Sequence, residues 1–397
     1  MSDRNFPDWI TAFMDYASFG EAPRHMYFWT AVSTVAGALR RRVWIDQAYF
    51  KWYPNFYVVL VAPPGIVSKS TTCGIGMDIL KKVPGVHMGP AVVTMQSLLT
   101  DMAGIYEEYK DRNDDYIPMS AMTIESSEFG NLLNPQDKDM VDMLVNLWDS
   151  KQGALEKSTK HSGKDTVVNP WLNIIACTTP AWIAGNFPEY MIGGGFTSRC
   201  VFVYAEEKAK YVAYPGLDVP ENIEQRREAL VEDLIRISAM EGKFTLTPSA
   251  ITWGTEWYKK LWRERPANLD DARFGGYFAR KQSHLHKLCM VLSASESNRM
   301  LITDEHMTIA DNMLSDLEPD MAMVFSKIGK AESSVHIDRM VEMVRRSGGM
   351  SYVDLYKLVH AYFPSNRDFE DILSGCIRAG LLRMQKDSSG DRILPGR

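Results

Sequence analysis

An α/β fold built on a mostly parallel sheet is what this chain predicts, and three observations predict it. Short apolar runs alternate with helical patterns from about residue 43 to residue 204, as βαβ units require. Val58-Val59-Leu60-Val61 is continuously apolar, as a strand covered on both faces must be. Directly after it, Pro63-Pro64-Gly65 turns the chain and Lys69-Ser70 opens a helical stretch.

The elements follow in order. Helical periodicity runs from about Trp9 to Leu39 and ends in Arg40-Arg41-Arg42. These arginines suit either a nucleic-acid contact or a helix C-terminus, where cations are favoured. Val43–Phe50 alternates like a strand, and Tyr57–Val61 is the buried strand. A helix is predicted from about Ser70 to Lys81, broken by Pro84-Gly85, and another at about Thr94–Lys110, ending in Asp111-Arg112-Asn113-Asp114-Asp115. Then come strand Met119–Ile124, helix Lys138–Trp148, strand Trp171–Cys177 and strand Cys200–Tyr204. Beyond residue 211 the pattern turns helical, at about Ile223–Met240, Pro248–Arg265, Ala272–Ser295 and Thr303–Ile328. A last module near Ser333 reads as three helices and a β-ribbon, the layout of a winged helix. The predicted divisions are 1–50, an N-terminal helical region; 51–210, the core; 211–330, an α-helical lid region; and 331–397, the winged-helix domain.

The strand, turn and Lys-Ser pair have the layout of a phosphate-binding loop. Its usual pattern is G-x-x-x-x-G-K-[ST], and here the two glycine positions hold Pro63 and Ser68. Loop N–H groups and the helix N-terminus point at phosphates in such a loop. Pro64, Gly65, Val67, Ser68, Lys69, Ser70 and Thr71 are therefore the candidates for holding ATP. Lys69 would reach the β- and γ-phosphates and the Ser70 hydroxyl would hold Mg²⁺. A serine at position 68 costs about 1 kcal/mol if the chain takes positive φ there.

Acidic residues at the end of the next strand suit the rest of that chemistry. Glu128 is the candidate base and Glu125 the alternative; the competing reading is two solvated glutamates. Thr178-Thr179-Pro180 ends another buried strand. Thr178 can touch a γ-phosphate or the attacking water, or both threonines can cap the helix that Pro180 starts. Gly193-Gly194-Gly195 precedes Arg199, a flexible presentation suited to an arginine that stabilises transition-state charge on a neighbouring subunit's nucleotide. Lys157, Lys160 and Lys164 flank Gly163 in a basic hairpin that suits DNA phosphates, or is simply a solvated loop. Arg280 lies in a helix whose Lys281, His284, His286 and Lys287 read mainly as its polar face.

Composition excludes several classes. At 397 residues, 45% hydrophobic and 24% charged, the chain suits two or three globular domains. A net charge of −6 excludes a generally basic nucleic-acid coat but not a local basic channel. The 5 cysteines are isolated at 73, 177, 200, 289 and 376, without zinc-ligand spacing, as in a reducing cytoplasm. No apolar run reaches the ~18–20 residues of a membrane span, and no signal core is visible at residues 1–9. A cytoplasmic protein without membrane contact is expected.

Taken in order, Pro54-Asn55-Phe56-Tyr57 leading into the loop, Ser127-Glu128-Phe129-Gly130-Asn131-Leu132-Leu133, Thr178-Thr179-Pro180 and Gly195-Phe196-Thr197-Ser198-Arg199 resemble the P-loop proteins of replicative-helicase type found in phages, prophages and plasmids, often fused to primases. The resemblance covers roughly residues 20–330. It implies a RecA- or AAA-like ATPase core, a ring-shaped homo-oligomer such as a hexamer, and ATP-driven movement on single-stranded DNA. It also implies that Lys69 and Ser70 bind phosphate and Mg²⁺, that Glu128 is catalytic, and that Arg199 acts in trans. No primase segment precedes the core, so a separate primase or initiator protein is the expected partner. The alternative is a weakly hydrolysing helicase loader or replication-initiation scaffold that binds DNA or partners through its winged helix.

Overall fold

The computed structural model describes residues 4–111, 113–159, 163–188, 191, 195–265, 269, 274–325, 332–360, 366–387 and 390–396. They fall into two compact units, Met1–Ser326 and Lys327–Arg397.

The first unit is mixed α/β around a six-stranded sheet. Five strands are parallel, in the spatial order Cys200–Tyr204, Tyr57–Val61, Pro170–Thr178, Tyr116–Ser126, Met88–Gly89. Glu107–Lys110 pairs antiparallel with the start of Tyr116–Ser126. All five residues of Tyr57–Val61 and all nine of Pro170–Thr178 are buried, which is why these strands lack alternation. The register sets Val61 beside Thr178 on one side and Tyr204 on the other. The five parallel strands therefore end at one carboxyl edge, and the loop leaves it from the second strand, between Cys200–Tyr204 and Pro170–Thr178.

Helix Lys69–Leu80 packs on helix Arg24–Leu39. The close approach depends on small residues: a Cβ at Gly76 would lie 2.5 Å from Thr34 Oγ1, and one at Gly37 would lie 2.5 Å from Leu80 Cδ2. One core joins Trp9, Leu39, Val58, Leu60, Leu230, Leu285 and Leu314, so the helices before and after the sheet share its hydrophobic interior.

Several expected elements differ. The pattern over Trp9–Leu39 is two helices, Trp9–Ala17 and Arg24–Leu39, with Pro23 set before the second in extended backbone. The strand predicted to Phe50 stops at Asp46, and Lys51–Trp52 returns antiparallel on it. The helix predicted over Thr94–Lys110 covers only Met95–Ala103. The acidic run after it is a turn, in which Asp111 Oδ1 accepts the N–H groups of Asn113 (2.7 Å) and Asp115 (3.1 Å), so 107–110 pairs back as a strand. Thr303–Ile328 divides into Asp304–Ser315 and Glu318–Phe325, and 326–328 lie outside the described residues.

The second unit holds helices Glu332–Ser347, Tyr352–Val359 and Asn366–Arg378, followed by the antiparallel pair Leu382–Asp387 and Gly390–Pro395. A short third strand, Met350–Ser351, joins the far side of the last one. Met340, Val344, Leu355, Phe369, Leu373 and Ile393 form its own core. Among the described residues, no helix is long and apolar enough to cross a membrane.

Candidate nucleotide site

The loop leaves the sheet at Ala62, whose N–H still donates to Thr178 O at 3.3 Å. Gly65 takes φ +70°, and a Cβ there would meet nothing within 4 Å, so the turn is open to solvent. Val67 is buried and anchors the loop, while Pro64, Ser68, Ser70 and Thr71 are exposed. Ser68 stands at the position the usual pattern gives to glycine, and it takes φ +46°, ψ +42°, the left-handed conformation. Helix Lys69–Leu80 begins immediately after it, and no side chain caps its N-terminus. Six other helix starts are closed by Asp8, Thr94, Asp137, Thr179, Thr247 and Thr303, while Arg24–Leu39, Ile223–Ser238 and Gly275–Glu296 share the lack of a side-chain cap. At the loop helix the orphan N–H groups and the positive dipole end are left for solvent or an anion.

Lys69 is folded back on its own loop, where Nζ donates to Ala62 O at 2.8 Å and Pro63 O at 3.2 Å. Burial pushes its ammonium below the ordinary lysine value, opposed by the Cys177 sulfur and the Glu128 carboxylate. Glu128 therefore acts on Lys69 through space. It is exposed, and its backbone carbonyl accepts from Ser126 Oγ at 2.8 Å. Glu125 is placed differently. It pairs with Lys81 Nζ at 3.0 Å against the flank of the loop helix, beside Gly74. Of the two glutamates, only Glu128 bears on the charge of the lysine, and its side chain is exposed.

The threonines divide their roles. Thr179 Oγ1 accepts from Trp182 N at 3.1 Å and caps the helix starting at Pro180. Thr178 is buried, next to Val61 at the root of the loop. Beneath the loop, the Cys73 thiol is pushed up by a hydrogen bond to Cys177 and by burial, which makes it a poor nucleophile.

Arg199 is not gathered into this site. It precedes Cys200, which pairs with Tyr57 at the opposite end of the sheet. There Nε and Nη2 make a bidentate pair with Asp149, 2.9 Å each, and Nη1 donates to Gly195 O at 2.7 Å. The side chain is buried under Trp148. The freely presented arginine expected from the glycine run is thus a buried internal partner of Asp149, a residue no motif singled out. Gly193 and Gly194 lie outside the described residues.

Of the basic hairpin, strands Ala154–Thr159 and Gly163–Val168 pair antiparallel. Asp165 on it accepts from Gln96 (2.8 Å) and Thr100 (3.0 Å). Lys160 lies outside the described residues, as do the side chains of Lys157 and Lys164. The Arg40–Arg42 run is structural. Arg40 pairs with Glu107 and Arg42 with Glu241, and fully buried Arg41 donates to Ser150 O (2.6 Å) and Pro170 O (3.1 Å). A nucleic-acid contact by Arg41 is excluded by this burial. The helix expected to turn Lys281, His284, His286 and Lys287 to solvent buries all four. Lys281 is paired with Glu318 at 2.6 Å. Asn55 Nδ2 donates to Trp148 O and Leu172 O, and Asn55 Oδ1 accepts from Lys287, so that motif residue serves as a tie between elements.

Among the described residues no group of His, Cys, Asp and Glu is arranged to hold a metal ion on its own. No protein-family model matches the chain, and no curated protein is significantly similar to it.

Proposed function

We propose that this chain is an ATP-dependent DNA helicase or translocase, working as a ring-shaped oligomer, a hexamer, in replication of a phage or mobile element. One observation carries the nucleotide half of this reading. An uncapped, solvent-open helix N-terminus stands at the carboxyl edge of a parallel sheet, with Lys69 and Ser70 at its first positions. Carboxyl edges of parallel sheets are where such folds take ligands. The open turn at Gly65, the free N–H groups and the exposed Ser70 hydroxyl fit a triphosphate and its Mg²⁺.

In this reading the loop N–H groups hold the phosphates, and Lys69 exchanges two loop carbonyls for phosphate oxygens. The Ser70 hydroxyl holds Mg²⁺, Glu128 accepts the proton of the attacking water, and Thr178 lines the floor. ATP supplies the free energy of its terminal phosphoanhydride. Three helices and a three-stranded sheet at the C-terminus support a winged helix for DNA or for a separate primase or initiator.

A second reading, a weakly hydrolysing loader or scaffold, is favoured by two features. Ser68 holds the strained position next to the lysine, and Arg199 reaches a neighbour's nucleotide only by leaving Asp149. Leaving that half-buried pair gives up two charge-assisted hydrogen bonds. The test is ATP turnover with and without single-stranded DNA, beside mass measurement with a non-hydrolysable analogue. A motor hydrolyses ATP faster on DNA, and Lys69→Ala lowers that rate at least about tenfold. Full DNA-stimulated turnover by the variant overturns the motor reading. Tight binding with negligible turnover selects the scaffold.

A further inference from the structure

At the end of the sheet opposite the loop lies a cavity of about 480 Å³, which shares walls at Phe50, Lys51, Tyr53, Asp149 and Lys151 with a neighbouring one of about 440 Å³. Its charge is lopsided. Lys51, Lys151, Arg199, Arg280 and Lys287 line the first cavity with the carboxylate of Asp149, and Asp46 and Asp149 are the carboxylates lining the second, which holds Tyr49. Arg199 already holds Asp149 bidentately. Lys287 is 2% exposed, and its ammonium rests on the Trp148 ring (3.4 Å from the centroid), Asn55 Oδ1 (2.8 Å) and Asn55 O (3.3 Å). Among the described residues no carboxylate lies within salt-bridge distance of it. Burying a cation is costly, and burial pushes Lys287 well below the usual lysine range, opposed through space by Asp149, which Arg199 already holds. Arg280 is lowered too, by burial and then by Arg199. An anionic occupant would offset these costs.

The other walls are aromatic. Phe50 and Trp52 meet edge to face at 5.6 Å, and Trp52 lies on the His286 ring at 4.6 Å. At the tip of the same hairpin Tyr49 is 99% exposed and Phe50 is 54% exposed, with Lys51 reaching over the Trp44 ring at 4.5 Å. Exposed rings beside a cationic groove are how proteins hold single strands, with bases on the rings and phosphates on the cations. Interleaved aromatic and basic residues, Tyr49-Phe50-Lys51-Trp52-Tyr53, already carried that signal in the sequence.

We propose that this aromatic-walled cationic cavity is a binding site for single-stranded nucleic acid, taking a phosphate beside Arg280 and Lys287 and stacking bases on Phe50 and Tyr49. The site rests on the proposed function only for the class of partner, and it does not need the loop to turn over ATP.

The experiment is fluorescence anisotropy of a labelled oligothymidylate with the full chain, without nucleotide, across a salt series. Tyr49→Ala with Phe50→Ala weakens binding about tenfold or more. Arg280→Gln reduces the salt slope by about 0.7–1. Thermal melting confirms that each variant is folded, and removal of an exposed ring at Tyr49 spares the core. Lys69→Ala binds the oligonucleotide as the unaltered protein does, which separates this site from the loop. The proposal is overturned if the aromatic and Arg280 variants both bind like the unaltered protein. It is equally overturned if Arg280→Gln loses a fluorescent ATP analogue while keeping the oligonucleotide, because the cavity would then serve a nucleotide.

Discussion

Ser68 and His284 show how single residues set the terms here. At Ser68 the chain holds a non-glycine residue at φ +46°, a conformation that costs roughly 1–2 kcal/mol for an ordinary side chain. A serine at this position is strained only if the chain takes positive φ, and Ser68 takes it. His284 is different, because nothing in its neighbourhood of sequence indicated full burial. Its ring stacks with Tyr277 at 5.9 Å, and its Nε2–H donates to Ser198 O at 3.0 Å. Burial pushes its pKa down to about 3, from the ordinary 6.5. The unfolded chain therefore takes up a proton at His284 below about pH 6.5 that the folded chain refuses until about pH 3. Stability falls as pH drops through that window, by about 1.4 kcal/mol per pH unit once the unfolded imidazole is charged. Buried His286, lowered to about 4, adds in the same direction. Urea unfolding of His284→Gln between pH 6.5 and 4.5 is expected to show a slope shallower by about one proton than the unaltered chain; equal slopes would contradict the assignment.

At the scale of elements, the loop helix is positioned by what it packs against. Helix Lys69–Leu80 lies on Arg24–Leu39 across Gly76 and Gly37, so its N-terminus, and with it Lys69, is held by a contact more than one turn away. Gly76→Val is expected to destabilise the first unit by about 1–3 kcal/mol, because Thr30 and Thr34 sit where the new side chain must go. Chemical unfolding measures it, and unchanged stability would show that the two helices can separate freely. The buried strands were readable because their apolar runs are continuous. The helix over Thr94–Lys110 was misjudged because its periodicity runs past Gly104, whereas pairing of 107–110 with Tyr116–Met119 is a tertiary choice that a local pattern does not contain.

Over the whole chain, the two units have separate hydrophobic cores. Residues 1–326 alone are expected to melt cooperatively and to keep whatever ATP binding the full chain has, since every candidate nucleotide residue lies in that unit. Calorimetry and nucleotide titration of the truncated chain measure this, and loss of cooperative melting would mean that the C-terminal unit completes the first core. The divisions drawn at residues 50 and 210 do not separate cores, because Trp9, Leu230, Leu285 and Leu314 join Val58 and Leu60. A change of composition marks a change of element type, and a shared interior forms only when distant segments meet.

The alternation, the continuous apolar strands and the lysine-serine pair at a strand-helix junction are local properties. The chain alone therefore settled the parallel α/β core and the location of the loop. Which glutamate stands beside Lys69, and that Arg199, Arg41 and Lys287 turn inward, are outcomes of packing. They depend on Asp149, Pro170, Asn55 and Lys81, partners that lie from 44 to 232 residues away. A charged residue shows the same letter whether water or a buried partner receives it, and only the assembled fold makes that assignment.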